Sequence, residues 1–205
     1  MDDLNLIASS YVLDLLRPED IVQLADRALT SGQYSAEVAE LADLRTERHP
    51  SSAAVVPLFL AWLRAYGIEL PNIEDAAWKL LTHHIGQIVH GRVPPLQGLV
   101  SVVETLYDSA LPDGRSNNVE QRFGVVALCA AYSAMEDLHE YPEHASIRGK
   151  LGTEAMAELA SYVSKVAEIW WKIYGPSPVF AVESSEAQLL LSKNGISDEW
   201  WREGR

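Results

Sequence analysis

Apolar residues recur along this chain at the three- and four-residue intervals of an α-helix almost throughout. Asp3 to Leu16 is the first predicted helix. Pro18 suits the opening turn of a second, where Glu19 and Asp20 face the positive end of the helix dipole. Its stripe of Ile21, Leu24, Ala25, Ala28 and Leu29 runs to Gly32, the residue type favoured just beyond a helix end. Ser35 is placed to cap a third helix, Ala36 to Arg45. His49-Pro50-Ser51-Ser52 breaks the pattern, and a fourth helix from Ala53 to Tyr66 stops at Gly67. Asn72 caps the fifth, whose stripe is Ile73, Ala77, Leu80, Leu81, Ile85 and Ile88 before Gly91. Pro94-Pro95 opens the sixth through Leu96, Leu99, Val103 and Leu106.

The segment from Leu111 to Asn118 carries the proline, glycine and asparagine of a loop. Val119 to Leu138 is apolar on nearly every side, which places that helix at the centre of the fold. A last long stripe follows, made of Ile147, Leu151, Ala155, Leu159, Tyr162, Val166, Ile169 and Ile173. Gly149 and Gly152 can interrupt its start, and Gly175-Pro176-Ser177-Pro178 ends it. Beyond that the pattern predicts a short extended piece over Val179 to Val182 and two small helices. The expected architecture is an all-α domain of about eight helices over residues 1–175, with a small helical appendage, 176–205, packed on it.

Composition narrows the partners. The 205 residues are 48% hydrophobic and 22% charged, enough apolar material for a sizeable core, and they carry a net charge of −13. The surplus is uneven. Residues 1–50 hold ten Asp/Glu against four Lys/Arg, whereas residues 51–100 hold three of each. Nucleic acid and anionic membrane surfaces both demand Lys and Arg, so this balance argues against either partner. A basic protein surface suits it, although charge of one sign also serves solubility alone. The acidic Met1-Asp2-Asp3 start lacks the basic region of a signal peptide. The longest nearly apolar stretch, Phe123 to Met135, falls well short of the roughly 20 residues that span a bilayer. A cytoplasmic location is expected.

No catalytic set, cofactor site or metal site is expected, and the chemistry favours a non-enzyme. Cys129, the one cysteine, sits among small apolar residues and reads as a buried core thiol. Glu136-x-x-His139 has the spacing of a carboxylate-bundle iron ligand pair, but such a site needs a second copy and two further glutamates. His83 and His90 are seven residues apart, about 10 Å along a helix, too far to share one zinc ion. His84 joins the apolar stripe and reads as a hydrogen-bonded core histidine. Glycines are scattered, and no nucleophile elbow or phosphate loop occurs.

Two stretches remain as partner-binding candidates. The first is Glu136, Asp137, His139, Glu140, Glu143 and His144, two histidines amid four carboxylates at a helix end. A solvated turn accounts for the same composition. The second is Asp198, Glu199, Trp200 and Trp201, where tryptophans beside acids have the make-up of a binding hot spot. A terminal helix docking its tryptophans on the body accounts for that one equally. Trp62 and Trp78 are expected in the core, and one of Trp170 and Trp171 near a surface.

A resemblance accompanies these features. Ala25-x-x-Ala28-Leu29-x-x-Gly32-x-x-Ser35-x-x-Val38-x-x-Leu41-Ala42, Gly67-Ile68-x-Leu70-Pro71, Gly91-x-x-Pro94 and Pro142-Glu143-His144 occur in the order found in a diffuse group of small acidic all-helical bacterial proteins. Over residues 20–165 the chain resembles that group, which implies a helical fold and carries no activity. By analogy such proteins are similar to immunity or antitoxin partners. Three functions are therefore open. One is a protein-binding module, an immunity-type inhibitor setting an acidic surface against a basic partner. Another is a small-ligand binder or enzyme with a pocket near His84, His139 and His144. The third is a structural or homo-oligomeric helical protein.

Overall fold

The computed structural model describes residues 3–47, 49–111 and 119–175, together with Lys193. They are all-α, with no strand among them. The helices are α1 (Leu4–Val12), α2 (Pro18–Thr30), α3 (Ala36–Asp43), α4 (Ser52–Ala65), α5 (Ile73–Val89), α6 (Pro95–Tyr107), α7 (Val119–Arg122), α8 (Val126–Glu140) and α9 (Gly152–Tyr174). A 3₁₀ turn, Leu44–Thr46, follows α3. The chain divides into two compact units between Lys79 and Leu80, inside α5. The expected boundary at 175/176 falls at the edge of the described residues.

The helix starts follow their capping chemistry. Asp3 accepts from the Asn5 amide at 2.9 Å, Ser35 from Val38 at 3.3 Å, Ser51 from Ala54 at 3.3 Å and Asn72 from Asp75 at 2.8 Å. The ends share one device. After α2, α4, α5 and α7, a glycine with positive φ (Gly32, Gly67, Gly91, Gly124) closes the helix. The residue after each glycine donates back across the last turn, as Gln33 does to Ala28 and Val125 to Glu120, both at 2.9 Å. These are Schellman caps, and they satisfy carbonyls the helix leaves unpaired.

Three expected helices differ in extent. The first ends at Val12, not Leu16, because Asp14 takes a left-handed conformation (φ +59°) and Leu15 donates to Ser10 in the same 2.9 Å cap. The apolar stretch from Val119 to Leu138 is two helices, since Gly124 turns the chain between α7 and α8. Residues 147–151 are not the start of the last helix. Arg148 and Gly149 both take positive φ in a tight turn, and Ile147 and Lys150 exchange backbone hydrogen bonds at 3.0 and 2.9 Å across it. Ile147 is nonetheless buried, whereas Leu151 and Ile73, both expected in core stripes, are exposed.

In the first unit, α2, α3 and α4 pack on one another. Ile21, Leu24 and Ala25 of α2, Val38 and Leu41 of α3, and Val55, Phe59, Trp62 and Leu63 of α4 form its core with Ile7 and Ala8 of α1. Each large side chain fully removed from water there contributes about 1.5–3 kcal/mol. In the second unit α6, α8 and α9 pack together. The alanines of α8 allow that approach, with Ala127, Ala131 and Ala134 buried. Trp170 of α9 is buried and its indole N–H donates to the Phe123 carbonyl at 2.9 Å, fixing the end of α7 against α9. Trp171 is the more exposed of the adjacent pair, half-buried with its ring beside Gly86 and edge-on to His90 at 5.3 Å. Trp62 and Trp78 are buried as expected.

Candidate functional site

The acidic run at the end of α8 is exposed throughout. Glu136, Asp137, His139 and Glu140 occupy its last turns, and Glu143 and His144 follow in the turn beyond. Tyr141 donates to Glu140 at 2.7 Å. That hydrogen bond, with some burial and the charge of Asp137, holds the Tyr141 hydroxyl above the usual tyrosine range.

One member of the run meets acids from another helix. Tyr132, one turn before Glu136 on α8, has its hydroxyl pushed up by burial, then by the Glu136 carboxylate that accepts its proton in a hydrogen bond. Glu104 and Asp108 of α6 add to the same shift. The charges of carboxylates on α6 and α8 thus act on one phenol, which donates to Glu136. Glu104, Tyr107 and Asp108 are three and four residues apart, so they share one face of α6. Tyr107 extends the cluster to α7 by donating to Glu120. Burial raises the Glu120 carboxyl above its ordinary value. No ion pair among the described residues involves Glu104, Asp108, Glu120 or Glu136. Cys129 is a buried core thiol, as expected. Burial pushes its thiol up and the Glu120 charge adds to it.

Sequence reading finds Glu136 and misses Glu104, Tyr107, Asp108, Glu120 and Tyr132. A signal was present. Glu104 and Asp108 are like charges four residues apart in the last turn of a helix, where the dipole disfavours anions. Nothing local stabilises that placement, which makes it conspicuous.

The three histidines of the pocket reading are not brought together by any described interaction. His84 is half-buried on α5, with its ring edge-on to His83 at 5.4 Å. Burial, then the neighbouring His83, lowers its pKa to about 4, so the imidazole is neutral near pH 7. It makes no hydrogen bond among the described residues, contrary to expectation. His139 and His144 are exposed. A cavity in the first unit includes none of the three. Of the other two histidines on the α5 polar face, His90 is held by a 2.6 Å contact from Nδ1 to the Gly86 carbonyl. No group of three or more His, Cys, Asp or Glu placed to hold a metal ion occurs among the described residues.

Comparisons with protein-family models, curated proteins and solved structures find no match. The resemblance drawn from the glycine and proline motifs thus rests on those motifs, and the structure shows that Gly32, Gly67 and Gly91 act there as helix caps. Asp198, Glu199, Trp200 and Trp201 lie outside the described residues. No helix among the described residues is long and apolar enough to cross a membrane.

Proposed function

We propose that the protein is a protein-binding module, an immunity-type inhibitor that sets the acidic tyrosine face of α6, α7 and α8 against a basic surface of a protein partner. One observation carries this reading. Glu136 accepts from the Tyr132 hydroxyl, the charges of Glu104 and Asp108 act on the same group, and none of the three carboxylates forms an ion pair among the described residues. Like charges held together cost stability, and a partner's Lys and Arg side chains recover that cost on binding. Exposed tyrosines supply rigid contact area with a polar tip: Tyr107 is 40% exposed and Tyr141 is 51% exposed. The −13 net charge would steer a basic partner toward the protein and make association salt-dependent. A cytoplasmic location belongs to the same proposal.

The test is co-expression with the product of the adjacent gene, followed by affinity capture at low and high salt. The expected complex forms at low salt and dissociates at high salt. Combining Glu104→Gln, Asp108→Asn and Glu136→Gln is expected to weaken it about tenfold, the sum of three partly exposed charge contacts. A complex indifferent to salt and to the triple variant would remove this face from the interface. Failure to capture the adjacent product, with self-association of the chain at micromolar concentration, would favour a homo-oligomeric role.

A further inference from the structure

In the first unit α1 is seated less closely than its neighbours. Helices α2, α3 and α4 pack along one another, whereas α1 has no comparably close helix partner among the described residues. Side chains hold it instead. Ile7, Ala8 and, just past the helix end, Leu13 are buried, and the Tyr11 ring leans on Phe59 of α4 at a centroid distance of 5.1 Å. A cleft of about 170 Å³ remains there, lined by Leu4 and Ile7 of α1, Leu24 and Ala28 of α2 and Trp62 of α4. Side chains along such a gap lose contacts that a filled core supplies. The connection to α2 is short and strained. Residues 13–17 alone join the two helices, and Asp14 holds φ +59°, a region where a residue with a Cβ is strained. Pro18 opens α2 and keeps Arg17 extended (φ −83°, ψ 160°), so α1 and α2 do not merge into one helix when that turn opens.

We propose that α1 exchanges between two copies of this chain, each copy's α1 seating on α2 and α4 of the other. The strained Asp14 turn is the hinge. Opening it makes Asp14 extended, and five extended residues reach about 17 Å, beyond the roughly 8–10 Å between packed helices. Detachment alone would leave Ile7, Ala8 and Leu13 in water and forfeit their burial. Exchange restores those contacts in the other copy, so the two states differ mainly at the hinge, where relief of strain favours the open form. A second copy is the occupant because its α1 is the segment this surface is already shaped to hold. Charge agrees. Leu4 to Leu13 contain no charged residue, so the transfer brings no carboxylate to the other copy's core, although two chains of net charge −13 repel as whole molecules. Salt screens that repulsion and therefore promotes this dimer, the reverse of its effect on the complex proposed for the acidic face.

The exchange uses no residue of the acidic face and stands or falls independently of partner binding. The test uses the full chain, as an equimolar mixture of ¹³C-labelled and unlabelled copies incubated at millimolar concentration in low and in high salt. Size exclusion with light scattering is expected to show a dimer that forms slowly, more of it at high salt, and that persists on dilution. Isotope-filtered NOE spectra of the isolated dimer are expected to show Tyr11–Phe59 ring contacts between labelled and unlabelled chains. Asp14 is exposed, so its substitutions change the hinge and leave the core alone. Asp14→Gly removes the strain from the closed form and is expected to lower the dimerisation constant about tenfold over the two hinges. Asp14→Val, β-branched and poorly suited to positive φ, is expected to raise it about tenfold. If Asp14→Val does not fold, wild type against Asp14→Gly decides. Absence of a dimer overturns the proposal, as does a dimer whose Tyr11–Phe59 contacts stay within one chain. A dimer fraction unchanged by Asp14→Gly overturns it as well.

Discussion

Replacing Gly124 by alanine tests how the apparent central helix is divided. Gly124 sits at φ +67°, and a Cβ there would lie 2.7 Å from both the ring edge and the hydroxyl of Tyr174. Two separable costs follow. An L-residue held in the left-handed region loses about 1 kcal/mol. Forcing a methyl group into a filled site adds about 1–3 kcal/mol. Tyr174 cannot swing away cheaply, because it is buried and its ring lies tilted against Trp170 at a centroid distance of 5.1 Å. Trp170 in turn is tied to the Phe123 carbonyl, the residue before Gly124. The sum is about 2–4 kcal/mol, which lowers the melting temperature of a chain this size by about 4–16 °C. Thermal unfolding followed by far-UV circular dichroism reads that shift. Repeating the substitution in a Tyr174→Ala background removes the clash and leaves the backbone cost of about 1 kcal/mol. A Gly124→Ala penalty of the same size in both backgrounds would refute the packing argument. A continuous Val119–Leu138 helix would be indicated if Gly124→Ala stabilised the protein, as alanine does inside a helix.

Two further substitutions probe the rest of the described chain. Asp14 takes the same left-handed cap position as the glycines (φ +59°), so Asp14→Gly is expected to stabilise the protein by about 0.5–1 kcal/mol in urea unfolding, and a loss of stability would contradict the assigned cap. His84 has its pKa depressed from 6.5 to about 4, so the unfolded chain takes up this proton first as pH falls. Its contribution is therefore whole above pH 6.5 and is lost between 6.5 and about 4, in total about 3 kcal/mol. His84→Gln should flatten that part of the stability profile, and a His84 resonance titrating near 6.5 in the folded protein would negate it.

Most of the helical layout was legible because punctuation and periodicity agree. Gly32, Gly67 and Gly91 end helices whose apolar stripes end at the same place, and Ser35 and Asn72 begin helices at their capping positions. Legibility failed where the two signals separate. Asp14 does a glycine's work without being one, so the first stripe ran on to Leu16. Gly124 lies inside an uninterrupted apolar run, where its turn is masked by residues that are buried on both sides of it. Ile147 continues the spacing of α9 but is buried from a turn and not from the helix. The candidate face was half legible for a related reason. Glu136 stands in a dense local run, whereas Glu104 and Asp108 join it only through the packing of α6 on α8, a contact with no local trace.

The acidic surplus divides by what each carboxylate touches. In the first unit several acids serve the chain itself: Asp3 caps α1, Asp20 accepts from the Arg17 amide at 2.9 Å, and Asp26 pairs with Arg45. In the second unit Glu158 is held by Lys150 at 2.6 Å and Arg148 at 3.3 Å, which keeps its carboxyl below the ordinary value. Such acids are accounted for by caps and pairs and call for no partner. Glu104, Asp108 and Glu136 differ, since their shared neighbour is a phenol whose proton they make harder to remove. The phenol donates to Glu136, and none of the three carboxylates forms an ion pair among the described residues. If charge served only solubility, spreading these three apart would do as well and would relieve the repulsion. Their shared effect on Tyr132 is what the solubility argument does not explain, and the proposed basic partner would supply the cation that could answer it.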